Sequence, residues 1–206
     1  MKTLLLCMLL FVNNGFVNSK LNFAFRKDSS PVSTLKVDLS QSMVSWHITK
    51  LTGAHTGTLK MYWGQLTVQN RKLTGGSILI DTNTLDVTDL TSPDKQKLEA
   101  NLKGDNFFET GRFTVARFDI TDVKYSTGGD TSQVSIFGNL TMHGITKKID
   151  FNAFILKNNG AELIVRADLN INRRDWNIAT ANFKYDHFIS PVAALHIIVR
   201  ALSNSI

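Results

Sequence analysis

The chain has 206 residues, 43% of them hydrophobic, with a formal net charge of +6 and a single cysteine. This length allows one domain with a sizeable core, and one cysteine excludes an intramolecular disulfide. The basic residues are scattered, whereas a nucleic-acid-binding protein concentrates them on one face with interleaved aromatics, so no nucleic-acid partner is expected. The charge is compatible with transient contact with anionic lipid head groups, but solvated strand faces explain it equally well.

Residues 1–19 have the pattern of a cleavable secretory signal peptide. Lys2 precedes an apolar run over 4–12, and small or polar residues follow up to Ser19, which is the order of regions in such signals. The run is shorter than the about 20 residues that span a bilayer, so no transmembrane segment is predicted. Cys7 lies inside this segment, before the position that a lipid anchor requires. We expect cleavage after Ser19.

Residues 20–33 are polar and show no periodicity, which predicts a flexible leader before a single domain at 34–206. Within that domain, apolar and polar residues alternate with the period of β-strands. The predicted strands cover 35–39, 43–51, 54–68, 72–82, 113–125, 132–142, 145–156, 161–172 and 192–201. A tight turn at His143 and Gly144 joins two of them, because glycine supplies the positive φ that a short hairpin needs.

One helix is predicted, over about 93–103. Ser92 is the expected cap, Pro93 suits the first helical position, and Gly104 suits the stop. Many hairpin-linked strands with one inserted helix are typical of a β-sandwich or an up-and-down barrel, and the pattern alone favours neither.

The sequence carries little that indicates catalysis or metal binding. There is no nucleophile elbow, no phosphate-binding glycine loop and no metal-ligand spacing of histidines or cysteines. We therefore predict no catalytic residues, no metal and no cofactor. The sequence is instead rich in large apolar residues, and phenylalanine alone occurs 13 times. A barrel lined by such residues either fills itself or holds an apolar guest, and each buried methylene of a guest contributes roughly 0.8 kcal/mol.

Five segments in order resemble the YceI-like family, whose members are small periplasmic lipid-binding barrels. The hairpin segment carries the family's Leu-Thr-x-x-Gly-x-Thr-Lys pattern at 140–147. The other matching segments are 37–46, 102–109, 113–118 and 172–176. The helix lacks the family's usual Arg and His, since residues 98–102 are Leu-Glu-Ala-Asn-Leu, and Asn177 replaces a common glycine. A head-group contact from that Arg and His is therefore not expected here.

The resemblance implies an all-β fold, an extended lipocalin-like antiparallel barrel of about eight strands with one capping α-helix. It also implies a non-catalytic periplasmic protein that binds, sequesters or carries an isoprenoid or another long-chain lipid; a homodimer is left open. The residues predicted to contact the lipid lie on inward strand faces or on a lid formed by the helix. They are Val44, Trp46, Ile48, Leu98, Leu102, Phe107, Phe108, Phe118, Ile136, Phe151 and Val165.

Two alternatives remain from the sequence. One is an envelope stress or interaction protein with a filled barrel and no bound lipid, which predicts an exposed apolar patch. The other is an enzyme acting on a small apolar substrate, which requires polar groups facing the cavity. Its candidate residues are His47, His143, Asp175 and His187.

Overall fold

The protein is described here from a computed structural model, which covers residues 31–126, 132–178 and 188–203. The predicted signal peptide, residues 20–30 of the predicted leader and His187 lie outside these ranges. The strands are β1 (Val32–Val37), β2 (Met43–Lys50), β3 (Gly53–Gln69), β4 (Lys72–Val87), β5 (Val115–Tyr125), β6 (Gln133–Met142), β7 (Ile145–Asn158), β8 (Glu162–Asn172) and β9 (Ile189–Ser203). The helix α1 is Asp94–Lys103, and a 3₁₀ turn covers Arg173–Trp176.

The strands form one closed antiparallel barrel. Each strand from β2 to β9 pairs with its neighbours in sequence, and β9 returns to pair with β2. β1 pairs with β3 and β9 beyond the point where β2 ends, so β1 and β2 together fill one of eight positions. The pairing between β7 and β8 covers only part of β7, from Ala153 to Asn158; the preceding residues of β7 pair with β6 alone among the described strands. The expected barrel is confirmed and the sandwich is wrong.

Most predicted strand boundaries hold within two residues; β4 extends five residues further, to Val87, β9 begins three residues earlier, at Ile189, and the first strand is displaced. β1 begins at Val32, inside the segment assigned to the leader, because Val32 and Ser33 pair with Gln69 and Val68 of β3. The alternating pattern is weak here, since Val32 is 60% exposed.

The β6–β7 hairpin has the predicted two-residue turn. Met142 pairs with Ile145, and both turn residues have positive φ, 48° at His143 and 73° at Gly144. This is the backbone of a type I′ turn, whose twist matches that of the flanking strands. A Cβ at position 144 would also lie 2.9 Å from Cε1 of Phe113. Glycine is therefore favoured here both by the positive φ and by the close approach of the Phe113 ring.

Helix α1 packs beside the end of β4, but its expected Ser92 cap is wrong. Pro93 itself occupies the cap position in a helical conformation, and no side chain caps the helix. The amide of Lys95 donates instead to the carbonyl of Thr91. The helix is fixed to β4 through Glu99, whose carboxylate accepts a 2.9 Å hydrogen bond from the Val87 amide.

The two ends of the barrel differ. The packed end, defined by the β3–β4 turn, the β7–β8 turn and β1, is filled with apolar side chains; Leu35, Leu163 and Ala201 are fully buried there. The helix end is defined by the β2–β3 turn, α1, the β6–β7 turn and the 3₁₀ turn. A second apolar cluster lies at this end around Phe107 and Trp176.

Candidate functional site

The barrel encloses a cavity of about 350 Å³. This volume lies within the roughly 300–1,000 Å³ of typical small-molecule pockets. The cavity extends from Leu66 and Leu73, near the packed end, to Leu98 and Leu102 of α1 at the helix end. The residues around it are apolar, with the exception of five: Lys50, His55, Thr82, His143 and Arg173.

All eleven residues predicted to contact a lipid lie on the cavity wall. Val44, Trp46 and Ile48 come from alternate positions of β2, as the period of two requires. On β6 it is Ile136 that faces inward, whereas Phe137 lies outside beneath the ammonium of Lys124, 4.7 Å from its ring centroid. The positions are those expected; their part in binding a ligand stays a prediction.

Two large aromatic rings lie flat against the wall because glycines face them. A Cβ at Gly57 would lie 2.3 Å from Cζ2 of Trp46, and one at Gly138 would lie 2.5 Å from Cε2 of Phe118. The missing side chains therefore leave space that the rings occupy, which keeps the rings close to the sheet. Phe118 also packs on Phe151, with ring centroids 5.6 Å apart. The indole N–H of Trp46 is buried without a hydrogen-bond partner among the described residues.

The polar side chains of the cavity wall all come from the helix end. Lys50 and His55 lie on either side of the β2–β3 turn, and Nζ of Lys50 is 2.7 Å from Nε2 of His55. Nδ1 of His55 is 2.8 Å from a carboxylate oxygen of Asp89. Partial burial alone would raise the pKa of Asp89, but hydrogen bonds from the Thr56 amide and the His55 ring outweigh it and lower that pKa. Asp89 is therefore ionised at neutral pH.

The Asn-Arg-x-Asp-Trp segment, residues 172–176, forms the 3₁₀ turn and its N-terminal cap, and several of its side chains make structural contacts. The side chain of Asn172 accepts a hydrogen bond from the Arg174 amide and starts the turn. Arg173 is 5% exposed, and its guanidinium donates to the carbonyls of Ile178, Ile189 and Ser190 at 2.9, 3.2 and 3.0 Å. Arg173 thus joins the end of β8 to the start of β9.

Trp176 completes the same segment. Its indole N–H donates to the carbonyl of Leu140 at 3.2 Å, and its ring belongs to the apolar cluster of the helix end. The turn is thereby fixed across the end of β6, next to the hairpin of His143 and Gly144.

The four residues considered for an enzyme do not form a site in the described structure. His47 and Asp175 are exposed, and His187 lies outside the described ranges. His143 does line the cavity, but Nδ1 of its ring bonds the Trp176 carbonyl at 3.1 Å, and Nε2 lies 3.4 Å from a carboxylate oxygen of Glu109. Within the described ranges, no three His, Cys, Asp or Glu side chains converge as metal ligands.

Sequence reasoning missed Lys50, His55 and Asp89. Lys50 continues the inward alternation of Trp46 and Ile48, so its place could have been found from period alone. His55 is the cross-strand partner of Ile48. Because directly paired residues lie on the same face of a sheet, the same reasoning would have placed His55 on the cavity side. Asp89 follows β4 in a connection and carried no such signal.

Within the described ranges, no helix is both long enough and apolar enough to cross a membrane.

An eight-stranded antiparallel barrel around an apolar cavity is the architecture of lipocalin-like binding proteins. The sequence profile of YceI-like domains matches residues 35–201. The chain belongs to the YceI-like domain family.

Curated relatives match part of the chain. A UPF0312 protein of Yersinia pestis (strain Pestoides F) is 30% identical over 109 residues, which cover 50% of this chain and 52% of that protein. A UPF0312 protein of Shewanella sp. (strain W3-18-1) is 31% identical over 97 residues, 47% of each chain. The chain therefore spans about half the length of the curated relatives it matches.

Solved structures share the fold over a greater length. BcnA of Burkholderia cenocepacia is 20% identical with a TM-score of 0.68, over 80% of this chain and 99% of that one. A polyisoprenoid binding domain from Saccharophagus degradans, implicated in plant cell wall breakdown, is 14% identical with a TM-score of 0.61, over 84% and 99%. At these identities the likeness concerns the fold.

Proposed function

We propose that this protein binds a long-chain amphiphile, an isoprenoid or fatty-acyl lipid, inside the barrel and sequesters or carries it without catalysis. The observation that carries the proposal is the cavity itself: about 350 Å³, lined by apolar side chains except at one end. Burial of each methylene in such a space contributes roughly 0.8 kcal/mol, so a chain of ten or more carbons needs no catalytic group to bind tightly.

The family supports the same role. A polyisoprenoid binding domain shares the fold over most of this chain. With the signal-peptide pattern of residues 1–19, we place the protein in the periplasm. Leu98, Leu102, Phe107 and Phe108 form the proposed lid, since all four reach the cavity from α1 or the segment directly after it. The homodimer and transient membrane contact stay predictions.

Extraction of the purified protein with organic solvent, followed by mass spectrometry, tests the proposal. We expect one lipid class in near-stoichiometric amount. A matched pair of variants gives the control. Ala193 of β9 lines the cavity, whereas its neighbour Ala194 is exposed on the outer face.

Ala193→Trp fills the cavity and is expected to lose the lipid, whereas Ala194→Trp is expected to retain it. Absence of lipid from the wild type, together with no binding of added long-chain lipids, would overturn the proposal. Equal lipid content in the two variants would place any bound lipid outside the barrel.

A further inference from the structure

The polar end of the cavity contains a lysine in an unusual setting. Lys50 is the last residue of β2 and shares its inward face with Trp46 and Ile48. Lysines on strands of a soluble barrel ordinarily lie outside, as the exposed Lys60 does on β3. Lys50 instead ends an apolar wall, at the point where the cavity reaches the β2–β3 turn.

The neighbours of Lys50 fix its role as a hydrogen-bond donor. Nδ1 of His55 faces the ionised carboxylate of Asp89, which only accepts, so Nδ1 carries the ring proton. Nε2 is then an acceptor, and it lies 2.7 Å from Nζ of Lys50. This bond uses one of the three ammonium protons and leaves two for another partner.

No carboxylate neutralises this ammonium among the described residues. Asp and Glu are absent from the cavity wall, and Asp89 lies behind His55. Two partly exposed lysines of the described chain do have such a partner: Nζ of Lys95 lies 2.7 Å from a carboxylate oxygen of Asp86, and Lys157 is paired with Glu162. A charge in a partly buried apolar setting is costly unless an opposite charge accompanies it. The two remaining donors of the Lys50 ammonium, which point to no described carboxylate, therefore suit an anion.

We propose that Lys50, held by His55 and Asp89, binds the anionic head group of the amphiphile, a carboxylate or a phosphate, with the apolar tail directed towards the packed end. The inference rests on the proposed function and adds the head-group chemistry and the direction of entry. The strand from His55 to Leu66 is on the order of 36 Å long at about 3.3 Å per residue, which gives a long single chain room along the wall.

The test compares three probes that share one tail: hexadecanoate, methyl hexadecanoate and hexadecyl phosphate. Their affinities are measured by displacement of a polarity-sensitive fluorophore from the purified protein. In the wild type we expect hexadecanoate to bind at least about tenfold more tightly than its methyl ester, the ratio that one charge-assisted hydrogen bond gives. Comparison of the affinities of hexadecyl phosphate and hexadecanoate shows whether the site prefers a phosphate or a carboxylate head group.

Three variants assign the preference to Lys50. Lys50→Met is expected to remove the preference for the acid and to leave the ester within about twofold, whereas Lys50→Arg keeps it because the charge is kept. Lys60→Met, on the outer face of β3, is expected to behave as the wild type. Thermal midpoints establish that each variant is folded.

The outcomes separate the two proposals. If acid and ester bind the wild type equally, or if Lys50→Met keeps the preference, the head-group inference is wrong while lipid binding stands. If none of the three probes binds, the proposed function itself fails.

Discussion

The packed end and the helix end of this barrel are built from the same strands but differ in the side chains that fill them. At the packed end, Leu163, Leu35 and Ala201 are fully buried, and the polar contacts lie outside, where Arg200 joins Glu162 and Asp38 at 2.7 and 3.1 Å. At the helix end, polar side chains such as Lys50 and Arg173 reach the cavity wall. If the proposed function is right, the residues that stabilise the fold and those that recognise the ligand lie at opposite ends of the barrel axis, and mutations at each end test this separation.

The largest effect is expected from Leu163→Ala at the packed end. Leu163 is 0% exposed, so truncation leaves a cavity and is expected to lower the free energy of unfolding by about 2–5 kcal/mol. Lipid affinity of the folded protein should hardly change. Chemical denaturation and ligand titration measure the two quantities. Leu156→Ala on β7, 55% exposed, is the control and should cost less than about 0.5 kcal/mol.

Arg173→Met tests the opposite end. It removes the donors for three carbonyls, and we expect a loss of about 2–3 kcal/mol in the free energy of unfolding. Lipid affinity should fall as well, because Arg173 joins the end of β8 to the start of β9 at the cavity wall. The exposed Arg174→Met is the matched control. Unchanged affinity in a destabilised Arg173→Met would mean that the two ends are not functionally distinct.

Much of the fold could be predicted because an inward strand face repeats every two residues, as in Val44, Trp46 and Ile48. The same period serves a sandwich and a barrel, so closure could not be derived from it. The apolar part of the site followed from the same faces. The charged part did not, because His55 meets Asp89 across 34 residues of sequence, and no local pattern records a contact between a strand and a distant connection.

Gly138→Ala tests the middle of the barrel, between the two ends. The added Cβ would lie 2.5 Å from Cε2 of Phe118 and 2.6 Å from the carbonyl oxygen of Asp119. We expect a cost of about 1–3 kcal/mol in stability and weaker lipid binding, since the ring must move into the cavity. Denaturation and titration measure both. Gly111→Ala, where a Cβ meets nothing within 4 Å, should change neither.

Acid should weaken the packed end through Glu162. Hydrogen bonds from Lys157 and Arg200 lower the pKa of Glu162 below its usual range. The unfolded chain therefore takes up a proton at higher pH than the folded chain, so this contribution is present at neutral pH and is lost as the pH falls below about 4.3. Thermal midpoints between pH 7 and 3 should fall less steeply in Glu162→Gln than in the wild type. Asp105→Asn, at an exposed turn residue, should follow the wild type.

The smallest effect is expected from His143→Asn, at the hairpin turn of the helix end. Asparagine tolerates the left-handed conformation that His143 adopts at φ 48°, so the turn should be kept. The bond to the Trp176 carbonyl is the contact at risk, and its loss is expected to cost less than about 1.5 kcal/mol of unfolding free energy. Hexadecanoate affinity should stay within about twofold of the wild type, in contrast to Lys50→Met. A tenfold loss would show that the head group is held at the β6–β7 turn, and the polar end of the cavity would then be centred on His143 and Glu109.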